Sequence, residues 1–266
     1  MNCGIFPSVI CAIASLVGLT ASRDANSADA TQRANPKSGS AYASAEIRAL
    51  QNDDASNPGM LWVANGEALW KEVVGKEARS CAQCHGVAAV AMKGVAARYP
   101  QRDKQSQSLI NIEGRINLCR ANHQGAAALA YESVELLALT AYVVHQSRGL
   151  VRELKIDDGN RQHFIRGANL YQQRMGQMNL ACTHCHDQNA GKTLLAEKIS
   201  EGHSNGYPIY RLEWQSVGSL HRRFRSCLAG VRAEPFAPGS DEYLALEFYL
   251  AWRGGGLTIE TPAVRR

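Results

Sequence analysis

The chain has 266 residues, 45% hydrophobic and 20% charged, with 29 Lys and Arg against 24 Asp and Glu for a net charge of +5. That balance suits a globular protein with a buried core, built as one large domain or two modest ones. It excludes a chain of many membrane spans and a low-complexity chain, and the lack of any Lys/Arg block argues against a nucleic-acid partner.

Ile5 to Thr20 is a short uncharged apolar stretch followed by a polar run from Arg23, with small-residue pairs such as Ala28 and Ala30 where it could be cut. This is the pattern of a secretory signal. Residues 1–30 are therefore expected to be a signal peptide, cleaved between about residues 20 and 30, that delivers a chain with no membrane span to the periplasm. An uncleaved membrane anchor is the alternative. Of the eight cysteines, Cys3 and Cys11 fall in this segment, leaving Cys81, Cys84, Cys119, Cys182, Cys185 and Cys227 in an oxidising compartment. Residues 31–57 are small, polar and punctuated by proline, and read as a flexible arm. Apolar residues then recur at helical spacing over 60–74, 134–146, 163–175 and 242–252. Residues 54–56 and 240–241 read as N-caps, and Gly149 and Gly254 as stops. Strand-like alternation is nearly absent, so the fold should be mainly α.

Cys81-Ala-Gln-Cys84-His85 and Cys182-Thr-His-Cys185-His186 both read C-x-x-C-H. Two thiols at this spacing form thioethers to the haem vinyl groups, and the adjacent histidine supplies the proximal iron ligand. A redox dithiol or half a zinc site could use one such motif, but no further Cys or His follows either copy at zinc spacing. Two copies on an exported chain predict two covalently bound haem c groups, on Cys81 and Cys84 and on Cys182 and Cys185.

The chain also repeats itself. Gly66-x-x-Leu69-Trp70 matches Gly167-x-x-Leu170-Tyr171, and Tyr99-Pro100 matches Tyr207-Pro208. Arg115-x-x-x-Cys119 matches Arg223-x-x-x-Cys227, and the segment from Glu135 to Tyr142 matches that from Glu242 to Tyr249. The expected architecture is two tandem class I cytochrome c-like domains, over 58–152 and 153–266, the second with a longer loop after its haem motif.

Each iron then needs a sixth ligand or an open position. The candidates are Met92, Cys119, His123 and His145 in the first domain, and His203, His221 and Cys227 in the second. Only the cysteines occupy equivalent positions in both repeats, which favours an axial thiolate on each iron. A disulfide between Cys119 and Cys227 is the competing reading, opposed by the need for a close Cα approach between separate domains. Arg222, Arg223 and Arg225, with Arg232 beyond, stand around Cys227, whereas Cys119 has only Arg115 and Arg120. Clustered guanidiniums lower a thiol pKa and bind oxyanions, so the second domain is where sulfur chemistry on a small dianion is expected. Pairing with haem propionates or Glu234 is the plainer role for these arginines.

The segments Glu113-Gly-Arg-Ile-Asn-Leu-Cys119-Arg120, Arg223-Phe-Arg-Ser-Cys227, Arg232-Ala-Glu-Pro235 and the tail from Glu260 to Arg266 resemble the SoxA family, the dihaem subunits of the thiosulfate-oxidising Sox cytochrome complex. The likeness runs from about residue 45 onward, with Ala263 standing where the family pattern has glycine. The resemblance implies His/Cys ligation of both irons, His85 with Cys119 and His186 with Cys227. It implies that Cys227 is the catalytic residue, carried as a persulfide, and that Arg223 holds the sulfonate end of thiosulfate. It further implies oxidative conjugation of thiosulfate to a cysteine of the carrier SoxYZ, with two electrons passing through the second haem to a SoxX-type monohaem partner. A dihaem thiosulfate dehydrogenase making tetrathionate, which needs no carrier, and a pure electron carrier are the competing functions. A dihaem peroxidase would need an open iron, and both domains offer a matched sixth ligand.

Overall fold

The computed structural model describes residues 35–266; the expected signal peptide, with Cys3 and Cys11, lies outside them. In chain order the helices are α1 (Ala45–Asn52), α2 (Met60–Lys71), α3 (Cys81–His85), α4 (Ala88–Ala91), α5 (Ile112–Cys119), α6 (Val134–His145), α7 (Arg161–Gln172), α8 (Cys182–His186), α9 (Leu220–Gly230) and α10 (Asp241–Arg253). Between them run short strands: β1 (Gln101–Arg102) with β2 (Leu109–Ile110), β3 (Thr193–Leu194) with β4 (Glu197–Lys198), and β5 (Ile209–Arg211) between β6 (Ser216–Gly218) and β7 (Ala263–Arg265). The protein is mainly α, as its periodicity predicts. Among the described residues no helix is long and apolar enough to cross a membrane.

Two crossed helix pairs carry the architecture, α2 against α6 and α7 against α10. Each crossing is set by a glycine. A Cβ on Gly66 would lie 2.1 Å from the Ala138 carbonyl oxygen and 2.6 Å from the Tyr142 Cβ. On Gly167 it would lie 2.1 Å from the Ala245 carbonyl oxygen and 2.8 Å from the Tyr249 Cβ. The sequence repeat is thus a repeat of backbone contacts. Ser240 caps α10 as its position predicts, its hydroxyl accepting from the Tyr243 amide, and Gly254 ends that helix. At α2 the expected cap at 54–56 is displaced: Gly59 takes the N-cap place, fixed by the side chain of Asn57.

The two cores trade residues. Leu109, from the first half, packs among Phe164, Phe224, Tyr243 and Phe248 of the second. Ile259, from the end of the chain, packs with Trp70, Tyr99 and Val143 of the first. Between the halves lies a cavity of about 30 Å³ lined by Glu113, Thr140, Arg152 and Glu247.

The arm expected over 31–57 is not loose where it is described. Ser44 caps α1, and Gln51 and Asn57 are buried. The Gln51 Oε1 accepts from the Val264 amide at 3.2 Å, and the Asn57 Nδ2 donates to the Pro262 carbonyl at 2.9 Å. Ser40 Oγ donates to Glu260 at 3.0 Å and Lys37 N to Glu201 at 3.0 Å. A polar composition suggested solvation, but the polar groups here are spent on the far end of the chain, which completes a small sheet and core with Ile47, Leu50 and Trp62.

Candidate active site

In the second half, one turn of α8 holds Cys182, Cys185 and His186 together. The His186 Nδ1 lies 2.8 Å from the Ser200 carbonyl, so Nδ1 carries a proton and donates it, and Nε2 is the nitrogen left to face Cys227 or an iron. Gly202 packs against the same ring: a Cβ there would lie 2.8 Å from the His186 Cγ. Asp187, just beyond, accepts from Tyr171 Oη at 3.1 Å and pairs with Arg253, which fastens the end of α8 to α7 and α10.

Cys227 reaches this histidine from α9, whose start is capped by Ser219. Its thiol is hydrogen-bonded to His186 and lies within the charge fields of Arg223 and Arg211, and its own charge is felt at Cys182 and Cys185. The side chain is open to solvent on one side and ringed by protein on the others. That enclosure works to raise the thiol pKa, but the hydrogen bond with His186 and the charges of Arg223, His186 and Arg211 outweigh it and hold the thiol below its usual range. Arg223 sits four residues before Cys227, hence on the same helix face. Cys227 is in turn the strongest influence holding the Arg223 charge in place.

The other arginines expected around Cys227 are turned away by the helical period. Arg222 stacks on Trp214 at 4.3 Å and donates to Ser216 Oγ at 3.2 Å. Arg225 is exposed, and Arg232, beyond the helix with φ 57°, reaches Gln177. In their place stands Arg211, from the end of β5, which proximity in sequence to Cys227 did not suggest.

The first half assembles the same parts. α3 carries Cys81, Cys84 and His85 and opens with a capping box in which Ser80 and Gln83 exchange side chain and backbone bonds. Cys119, at the end of α5, lies close enough to Cys81 and Cys84 for their charges to interact. Gln124 Nε2 donates to the Cys81 sulfur at 3.8 Å. The Trp70 ring lies 5.7 Å from that of His85 and its indole N–H donates to the Gly86 carbonyl at 3.1 Å. Burial raises the Cys119 thiol above its usual range, opposed by Arg115 and reinforced by Cys84. A cavity of about 280 Å³ opens beside it, lined by Asp103, Arg115, Asn122 and His123.

Among the described residues the six cysteines are all free, and each distal cysteine faces the motif of its own half, so the disulfide alternative has no support in this geometry. Of the other candidate ligands, His123 is exposed and lines the cavity beside Cys119, and four are engaged elsewhere. Met92 packs in the first core, and His145 Nδ1 lies 3.2 Å from the Thr261 carbonyl. His203 pairs with Glu201 at 3.1 Å and His221 with Glu247 at 3.0 Å. Two thiols on one helical turn, an imidazole with its Nδ1 proton committed to a carbonyl and a thiol across from it make a donor set that fits haem c. Cys81, Cys84, Cys182 and Cys185 could hold the thioethers, and His85 with Cys119 and His186 with Cys227 the irons.

Residues 65–151 match a family model described as SoxA/TsdA, cytochrome c domain. The chain is 43% identical to the L-cysteine S-thiosulfotransferase subunit SoxA of Pseudaminobacter salicylatoxidans over 86% of this chain and 80% of that one. It is 35% identical to the subunit of the same name from Paracoccus pantotrophus, over 82% of this chain and 75% of that one. The crystal structure of SoxXA from P. pantotrophus contains a chain similar in fold, with a TM-score of 0.85 and 33% identity, covering 88% of this chain and 89% of that one.

Proposed function

The chain belongs to the SoxA family, and on that premise we propose that it is a dihaem sulfurtransferase with Cys227 as its catalytic residue and Arg223 as its thiosulfate-binding residue. The observation that carries this is the meeting of Cys227, His186 and Arg223 at one point: a sulfur nucleophile, an iron-ligating imidazole and a fixed cation. Cys81 and Cys84, and Cys182 and Cys185, would hold haem c, which would supply one-electron redox centres, with His85 and Cys119, and His186 and Cys227, placed to bind the irons.

In the reaction, a sulfur–sulfur bond forms between the sulfane atom of thiosulfate and a cysteine of the carrier SoxYZ. The carrier thiol loses its proton to solvent, and two electrons leave for a SoxX-type monohaem cytochrome bound as partner. Arg223 neutralises the sulfonate while the sulfane end is presented to Cys227. No general base is needed, because the reacting sulfurs ionise easily near neutral pH. The matched distal cysteines argue against an open peroxidase iron, and the arginine at Cys227 argues against a mere electron carrier. The periplasm is the compartment that this chemistry and the N-terminal pattern both indicate.

Two measurements test the proposal. Cys227→Ala in the haem-loaded complex should abolish conjugation of thiosulfate to the carrier while both haems stay covalently attached by mass; retained turnover would sink it. Mass analysis of the Cys227 peptide from periplasmically matured protein, without reductant, should show one added sulfur atom. A cross-link to the Cys119 peptide would instead make both residues structural.

A further inference from the structure

The two C-x-x-C-H turns differ in what lies behind their histidines. Tyr99 follows His85 by 14 positions, whereas its repeat-mate Tyr207 follows His186 by 21. The extra length folds into β3 and β4, closed by the Gly191 amide on the Ile199 carbonyl at 2.8 Å and the Ile199 amide on the Lys192 carbonyl at 2.9 Å. The chain then runs back across the His186 ring as a strap. Ser200 takes the Nδ1 proton on its carbonyl at 2.8 Å. Gly202, with φ 74°, lies so close that a Cβ there would sit 2.8 Å from the ring. In the first half, among the described residues, no hydrogen bond reaches the His85 ring, which is exposed and has the Trp70 ring beside it.

Between those two contacts stands Glu201, whose carboxylate is spent on the N-terminal segment. Its Oε1 accepts from Tyr42 Oη at 3.1 Å. Its Oε2 accepts from the Lys37 amide at 3.0 Å and pairs with His203 Nε2 at 3.1 Å. The Glu201 side chain is 8% exposed and that of His203 fully enclosed, so these bonds are made away from water. Two further contacts tie the same stretch to the strap. Asn205 Nδ2 donates to Ser38 Oγ at 3.2 Å, and a Cβ on Gly191 would lie 3.9 Å from the Tyr42 ring. From α10, Arg253 donates to the Glu201 carbonyl and pairs with Asp187, the neighbour of His186. One residue of the strap is thus gripped twice, by α10 at its backbone and by residues 37–42 at its carboxylate.

We propose that Glu201 is a positioning residue of the second haem: by clasping residues 37–42 it holds Ser200 and Gly202 against His186, and so tunes that iron while leaving the first alone. A carbonyl that takes the Nδ1 proton orients the imidazole and makes it a stronger donor to a metal, which favours the oxidised iron. Slackening the strap weakens that bond and raises the reduction potential. The first half has no equivalent strap, so the same clasp gives two otherwise matched centres different settings. The inference rests on the reading of His186 as an iron ligand.

The test is a redox titration of the haem-loaded complex, read separately at each haem through its low-spin signal. Glu201→Ala should raise the midpoint of the second haem and shift its signal, with the first haem as in the wild type. Glu201→Gln loses the same charge but keeps an acceptor for Tyr42, so it should shift the second haem less. Equal shifts in the two variants would reduce the effect to lost charge and overturn the positioning role, as would shifts at both haems or at neither. Tyr42→Phe changes no charge and should move the second haem in the same direction by a smaller amount. Should Glu201→Ala fail to load haem, Tyr42→Phe decides, and an unmoved second haem there would overturn the inference. Gly202→Ala, which drives a methyl into the His186 ring, should move the second haem by at least as much as Glu201→Ala. A response to Gly202→Ala with none to Glu201→Ala would sink this inference alone. A single covalent haem by mass, on Cys81 and Cys84, would instead sink the reading of His186.

Discussion

Cys119 closes α5 and Cys227 lies in the last turn of α9, each four residues after an arginine and each facing a C-x-x-C-H turn, yet their thiols are shifted in opposite directions. Burial leaves the Cys119 thiol above its usual range, with Arg115 pulling the other way. Cys227 ends below it, because His186, Arg223 and Arg211 all act on the sulfur. The backbone contacts that position the two sites are meanwhile nearly identical, down to a glycine under a carbonyl oxygen at 2.1 Å in each half. The two helix crossings leave no room for a side chain at either glycine, whereas the polar side chains around the two thiols differ. The halves differ in their lining.

The sharpest way to break the comparison is to remove each thiol in turn. Cys119→Ala should leave conjugation within a few-fold of wild type, against complete loss in Cys227→Ala, measured as carrier-bound thiosulfate by mass. Equal losses would mean that both halves take part in the chemistry. The scaffold side is tested by Gly66→Ala and Gly167→Ala. Each forces a methyl into a backbone carbonyl, an overpacking that costs about 1–3 kcal/mol, and the two variants should fall in thermal midpoint by similar amounts.

A third test concerns the seam between the halves, where Glu113 meets its own repeat-mate His221. Burial, and then repulsion from Glu247, pushes the Glu113 carboxyl up to about 8 from a usual 4.5. The folded state thus binds this proton more tightly than the unfolded state. Its stabilisation is full below pH 4.5 and is lost as the pH rises through about 8. Thermal midpoints should decline between those limits in the wild type and decline less in Glu113→Gln. The smallest effect is at Asp103, held near 2 from a usual 3.8 by the Ser106 amide and then by Arg115. That contribution is present above pH 3.8 and is lost as the pH falls toward 2, so Asp103→Asn should be less stable than wild type at neutral pH and match it near pH 2.

Much of this was legible before any coordinates. The C-x-x-C-H turns, the paired cysteines and the four long helices follow from spacing alone, because covalent chemistry and helical packing both demand fixed intervals. Arg223 was legible too, since i,i+4 places it beside Cys227 on a helix; the same geometry, applied strictly, would have set aside Arg222 and Arg225. Arg211 was hidden because it arrives on a strand end sixteen residues earlier. The ordered segment from 36 to 57 was hidden for another reason: its partners, Glu260, Pro262 and Val264, lie some two hundred residues away. No local composition records them.

Strand β7 lies parallel on β5, with Val264 opposite Tyr210 and Arg265 opposite Arg211. The strand that carries Arg211 is therefore completed by residues 263–265, which also anchor the segment around Gln51. A chain cut before Ala263 should keep both C-x-x-C-H turns and both distal cysteines, yet expose an edge of β5 and release Gln51 from the Val264 amide. A protease trimming a few residues there would loosen two regions far apart in sequence with a single nick.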